Sequence, residues 1–209
     1  MFYSSVAAPP SPDPTEEQVF LGESDFTTAS GASWSGGVLS VNSGSIHVDS
    51  KMTVARPAVL TLKMRQDDAR SPECGVAALF PDSTSRHSGY NIGLGWWGNG
   101  FGVGAPGAER GSNFVHGSDW HEVAIDANAD GNVYMYLNGV LTKTYANNAY
   151  TSGVVRLGNN CRNFQYKDIT VSAVTVSPSG SSQRPARAFF IMSYYLLHCT
   201  CYCYYYSYS

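Results

Sequence analysis

The sequence predicts an all-β protein, an antiparallel two-sheet sandwich of jelly-roll type, and three observations carry that expectation. Apolar and polar residues alternate with period two along most of residues 18–176. The 21 glycines interrupt any helix longer than a few turns. Short apolar runs are separated by Gly, Asn, Asp and Ser turns, with no helical segment of the length that a crossover between parallel strands requires.

The strands can be taken in order. Leu60, Leu62 and Met64 alternate with Thr61, Lys63 and Arg65. Val76, Ala78 and Phe80 alternate with Ala77 and Leu79. Tyr90 to Trp97 reads as a strand with Tyr90, Ile92, Leu94 and Trp96 on a core face and Asn91, Gly93, Gly95 and Trp97 on the other. A turn at Asn99-Gly100 would set Trp97 opposite Gly102 and Trp96 opposite Val103, keeping Phe101 and Val103 on the core side. Val123 and Ile125 alternate with Glu122, Ala124 and Asp126, and Val133, Met135 and Leu137 with Tyr134 and Tyr136. Asn138-Gly139 is the strongest hairpin signal, because the pair supplies the two positive φ angles of a type I′ turn. It predicts Leu137 opposite Val140, Tyr136 opposite Leu141 and Tyr134 opposite Lys143.

A chain of 209 residues suits one ordinary domain with tails. Residues 1–17, with Pro9, Pro10, Pro12 and Pro14, read as a Pro-rich disordered arm. Residues 18–176 are the β-sandwich domain, 177–188 a Ser/Pro linker, and 189–209 an uncharged, apolar, Tyr/Cys-rich tail. That tail is a membrane anchor or translated non-coding sequence; its clustered tyrosines suit an interface better than a bilayer centre. A net charge of -3 and the lack of a basic run argue against nucleic acid as a partner. Cys74 and Cys161 are the only body cysteines; a bridge between them would stabilise by about 2–4 kcal/mol and imply an oxidising compartment. No N-x-[ST] sequon occurs and the start carries no basic n-region followed by an apolar run.

The stretch Trp120-His121-Glu122-Val123-Ala124-Ile125, followed by Gly131-Asn132-Val133-Tyr134-Met135-Tyr136-Leu137-Asn138-Gly139, resembles a hairpin of the concanavalin A-like lectin/glucanase superfamily. Laminin G-like and 3-keto-disaccharide-hydrolase-like domains belong to that superfamily. Gly153 to Gly158 and Phe164 to Val171 are similar to its final strands, and Ser24-Asp25-Phe26 with Trp34 and Gly37-Val38-Leu39 to its opening segment. The resemblance implies a jelly roll, a carbohydrate partner, and an extracellular, cell-surface or virion location.

Departures from the family narrow the chemistry. Its glucanases use acids alternating along one strand, which puts nucleophile and acid on one face. Here Asp67 and Asp68 are adjacent, and Glu73, Glu109 and Glu122 stand alone, so no catalytic residue is named. Asp126, Asn128 and Asp130, followed by Gly131, begin like a calcium loop, but Leu137 stands where a bidentate Glu would close it. A polar turn is the competing reading, and calcium is the one cofactor left open. Gly93 to Gly98 matches G-x-G-x-x-G as a string, yet the following Gly100, Gly102 and Gly104 forbid the helix that dinucleotide binding needs.

Trp97 over a floor of glycines is the best candidate for stacking on the flat apolar face of a sugar, and Asn91, Asn160 and Arg162 are candidates for bonding its hydroxyls. His116, His121 and Glu122 are further polar candidates. Three functions remain: a non-catalytic glycan-binding or adhesion module, a structural sandwich of a virion or cell surface, and a glycoside hydrolase or lyase with an unrecognised site.

Overall fold

The structure is a computed structural model and describes residues 18–42, 46–66, 75–82, 88–94, 100–104, 109–110, 119–159, 163–173 and 176–178. In chain order its strands are β1 (Gln18–Phe20), β2 (Ala32–Ser35), β3 (Val38–Val41), β4 (Ile46–Asp49), β5 (Met52–Ala55), β6 (Ala58–Gln66), β7 (Gly75–Leu79), β8 (Tyr90–Leu94) and β9 (Gly100–Val103). There follow β10 (Glu109–Arg110), β11 (His121–Ala127), β12 (Asn132–Leu137), β13 (Val140–Ala146), β14 (Ser152–Gly153), β15 (Val155–Asn159), β16 (Phe164–Ala173) and β17 (Val176–Pro178). Among the described residues the only helical segment is a single 3-10 turn, Glu23–Asp25.

The strands form an antiparallel jelly-roll sandwich. One sheet has eight strands in the order β13-β12-β11-β6-β16-β3-β2, with β1 added alongside β16. The second has six, β10-β9-β8-β7-β15-β4, and a three-stranded ribbon, β14-β5-β17, completes the wall. The two inner faces meet in one core: Leu60, Leu62, Met64, Val123, Ile125, Val133 and Met135 from the long sheet face Ala77, Leu79, Tyr90, Ile92, Phe101 and Leu157 from the short one. Burying each large apolar side chain is worth about 1.5–3 kcal/mol, so this cluster is what holds the sheets together.

Polar staples cross the same gap. The Tyr166 hydroxyl, on β16, accepts the Val76 amide at 3.1 Å and donates to the Gly158 carbonyl, tying the long sheet to β7 and β15. Complete burial pushes the Tyr166 phenol far above its ordinary value, so it stays a neutral donor. Tyr145 of β13 donates to the Phe101 carbonyl of β9 at 3.0 Å. Gly75 is glycine for a steric reason, because a Cβ there would stand 2.1 Å from the Phe164 ring.

The expected alternation holds along β6, β11 and β12, where every second residue is buried in the core. Asn138 and Gly139 take φ of 50° and 75°, as a type I′ turn requires, and Leu137 and Tyr136 pair with Val140 and Leu141 as expected. Tyr134 does not face Lys143. The register shifts between Met135 and Tyr136, so Met135 faces Lys143 and Tyr134 faces Thr144. One extra residue on β13, Thr142, makes this a β-bulge, which no periodicity announces.

Three further expectations are corrected. Of the strand expected from Tyr90 to Trp97, Tyr90–Leu94 is β8 and residues 95–97 lie outside the described residues, while the hairpin register is Tyr90 to Val103, Asn91 to Gly102 and Gly93 to Gly100. Gly100 is therefore a ladder residue opposite Gly93 rather than half of a two-residue turn. Phe101 and Val103 nonetheless lie on the core side. On β7 the core residues are Ala77 and Leu79, whereas Val76 and Ala78 point the other way and are also buried. The body also runs beyond residue 176, since Ser177 and Pro178 pair with Thr53 and Met52. Cys74, Cys161, the arm of residues 1–17 and the 189–209 tail lie outside the described residues. No helix among the described residues is long and apolar enough to cross a membrane.

Candidate functional site

Side chains leave a strand on alternate faces, so the registers of the six-stranded sheet fix which residues share its outer face. One cross-strand row there is Asp49, Arg156, Ala78, Asn91 and Gly102, and the next is His47, Gly158, Val76, Gly93 and Gly100. Beyond the Asp49, Arg156 and His47 margin the floor is thus made of glycine, one alanine, one valine and Asn91. Val76, Ala78 and Asn91 are at most 1% exposed, so this face is closed to solvent along its centre and both faces of the sheet are buried. That explains why β7 and β8 are buried at every position and why period-two reasoning could not tell the faces apart.

At one margin sits a charged pair. Arg156 is 5% exposed and donates from Nε to Asp49 Oδ1 at 2.7 Å and from Nη2 to Oδ2 at 2.8 Å. This fork-to-fork geometry is the strong form of a carboxylate–guanidinium bond. The Asp49 side chain is 25% exposed against 6% for Arg156, so the guanidinium lies beneath and the carboxylate opens to solvent. Held rigidly by two donors, the carboxylate keeps its remaining lone pairs for an incoming hydroxyl. Half-buried His47 stands beside it on β4.

The residues singled out from sequence fall as follows. Asn91 lies on this outer face, fully buried, its Nδ2 donating to the Gly89 carbonyl at 3.1 Å. Trp97, Asn160, Arg162 and His116 lie outside the described residues; Trp97 belongs to the connection 95–99, which joins β8 to β9 on this sheet. His121 and Glu122 are on the other sheet, at the start of β11. The Asn138 amide donates to His121 Nδ1 at 3.2 Å, and burial holds the imidazole below its ordinary value against the raising influence of Asp119 and of that contact. Arg156 and Asp49 were missed by sequence reading. The signal was available only weakly, as an arginine inside the otherwise apolar run Val154 to Leu157.

Asp126, Asn128 and Asp130 surround the β11–β12 turn. Asp130 Oδ1 accepts the Asn132 amide at 2.9 Å, and that bond is the main cause of a carboxyl held below its usual range. The Arg56 guanidinium enters the same loop: Nη2 and Nε donate to the carbonyls of Asn132 and Asn128, and Nη1 donates to Asn147 O at 3.0 Å. Arg56 also stacks 5.6 Å from the Tyr90 ring, whose hydroxyl donates to Asn147 O at 3.0 Å. A cation therefore does sit among these loop carbonyls, and it is a side chain. Among the described residues no group of three or more His, Cys, Asp or Glu side chains could hold a metal.

No family model and no curated protein sequence matches the chain. Among solved structures it is similar to a candidate glycosyl hydrolase from Parabacteroides distasonis ATCC 8503, with a TM-score of 0.55 and 9% identity over 74% of this chain and 91% of that one. It is also similar to the carbohydrate-binding module CBM66 from Bacillus subtilis, with a TM-score of 0.51 and 14% identity over 73% of this chain and 95% of that one. At such identities the likeness is one of fold, and the fold these chains share is the antiparallel jelly-roll sandwich of glycosyl-hydrolase-like and carbohydrate-binding domains.

Proposed function

We propose that the chain is a non-catalytic glycan-binding module of concanavalin A-like type, related to laminin G-like or 3-keto-disaccharide-hydrolase-like domains, acting outside the cell, on its surface or on a virion. Its site is the solvent-facing margin of the six-stranded sheet at Asp49 and half-buried His47, with Trp97 as the stacking residue that the sequence offers. The observation that carries this reading is the solvent-facing Asp49 carboxylate, pre-set by two bonds from the buried Arg156. The fixed carboxylate offers acceptors to vicinal hydroxyls. That one solved sandwich of this fold is a carbohydrate-binding module adds support.

A binding role is favoured over glycoside hydrolysis by one specific feature. On the strands of the six-stranded sheet the acidic residues are Asp49, which is committed to Arg156, and Glu109 of β10, whose cross-strand partner is Phe101 rather than a residue of the Asp49 row. Both stereochemical courses of glycoside hydrolysis use two carboxyl groups across the bond. The test is a glycan array probed with the full chain, followed by titration of the glycan it selects. Trp97→Ala should weaken that binding by about 1–3 kcal/mol, the range of stacking on an aromatic ring, without moving the melting temperature. Unchanged affinity, or an array that stays blank, sinks the proposal.

A further inference from the structure

The opposite, eight-stranded sheet carries an aromatic and basic cluster that the reading above leaves unused. Trp120 immediately precedes β11 and is half-buried. The Arg65 guanidinium of β6 lies 4.5 Å from its ring centroid and the Lys167 ammonium of β16 lies 4.3 Å from it, so two cations stand on one indole. Arg65, Gln165, Ser40 and Ser33 form one cross-strand row over β6, β16, β3 and β2. At about 4.8 Å between strands that row is about 14 Å long. It is already linked: Arg65 Nε donates to Gln165 Oε1 at 2.8 Å, and Gln165 Nε2 donates to Ser40 Oγ at 3.2 Å.

The charge pattern is equally specific. Lys63 and Lys167 face each other across β6 and β16, an arrangement of like charges that costs stability. A β-bulge between Lys167 and Thr170 puts Asp168 at a φ of 51°, and its carboxylate takes Lys63 at 3.0 Å. One lysine of the facing pair is thereby answered by the bulge, while Lys167 is turned to Trp120 beside Arg65. An anion laid beside the indole would meet both cations. A sugar ring carrying that anion would rest against the indole and reach the amide and hydroxyls of Gln165, Ser40 and Ser33.

We infer that the outer face of the eight-stranded sheet around Trp120, Arg65 and Lys167 is a second binding surface, for acidic saccharides bearing carboxylate or sulfate groups. The site is distinct from the one on the six-stranded sheet and does not depend on it. Nucleic acid fits less well, since duplex or strand binding draws on a run of phosphate contacts and this surface offers two cations on a chain of net charge -3.

The experiment uses the full chain, titrated with heparin, polygalacturonate, neutral dextran and a single-stranded oligonucleotide. Binding to heparin or polygalacturonate, weakened by added salt, is expected, with dextran bound not at all by this surface; heparin against polygalacturonate separates sulfate from carboxylate recognition. The double variant Arg65→Gln/Lys167→Gln should lose about tenfold or more of that affinity, as removal of charge-assisted bonds does. Trp120→Ala should lose a comparable share, and the double variant stands as the decisive one where Trp120→Ala lowers the melting temperature. Trp97→Ala should leave acidic-polymer binding unchanged, which separates this surface from the proposed glycan site. Failure to bind either acidic polymer, equal binding by the double variant, or tighter binding of the oligonucleotide overturns the inference.

Discussion

The outer faces of the two sheets obey different rules. On the eight-stranded sheet, Thr61, Lys63, Arg65, Glu122 and Ala124 alternate with buried core residues and meet solvent, so each strand announces its inward face. On the six-stranded sheet, Val76, Ala78, Asn91 and Gly93 are as buried as the core residues between them, and the alternation disappears. A strand covered on one side advertises its orientation in composition. A strand covered on both sides reveals it only through its partners.

The largest test of that contrast is Arg156→Ala. Removing the guanidinium leaves Asp49 without the two bonds that fix it and opens a void in a closed face, and breaking such a buried pair costs about 3–5 kcal/mol. Urea unfolding measures it, and a loss below about 1 kcal/mol, the worth of a surface ion pair, would mean that the face is open. A matched pair of substitutions sharpens the contrast. Ala78→Val adds volume where Ala78 is 0% exposed and should cost about 1–3 kcal/mol. Thr61→Val on the open face should stay within about 0.5 kcal/mol. Equal effects at the two sites would erase the distinction.

The architecture was legible where local chemistry decides it. Val123, Ile125, Val133 and Met135 could be assigned to the core because their neighbours are polar, and the Asn138-Gly139 turn because few other residues tolerate its φ angles. Registers away from the turn were not legible, since the bulges at Thr142 and at Asp168 insert single residues without a compositional mark. The candidate sites were hidden for a related reason. Asp49 and Arg156 are neighbours only through the pairing of β4 with β15, and Arg65, Trp120 and Lys167 come from β6, the residue before β11, and β16, far apart in the chain, so no basic run betrays them.

The smallest expected effect lies in the hairpin that was easiest to read. His121 accepts the Asn138 amide at Nδ1, and its Nε2 is buried with no partner among the described residues. Its folded-state pKa is lowered, chiefly by burial, from the ordinary value of 6.5. The unfolded chain therefore takes up this proton at higher pH than the folded one. The contribution of neutral His121 is complete above 6.5 and is lost progressively as the pH falls below it. Melting temperatures measured across that range should fall more steeply with acid for the parent than for His121→Gln. Parallel curves would show that the ring is as well solvated in the fold as outside it.

The guanidinium of Arg56 has one more consequence. It binds the backbone carbonyls of Asn128, Asn132 and Asn147, which brings three chain segments to a single point beside Tyr90. A tethered cation has a local concentration set by the polypeptide rather than by the medium. This end of the sandwich is thus a joint that does not wait on a dissolved cation. Solution conditions can act on the molecule at its carboxylates, its lysines and His121, while the loops gathered at Arg56 hold one geometry against which those responses are measured.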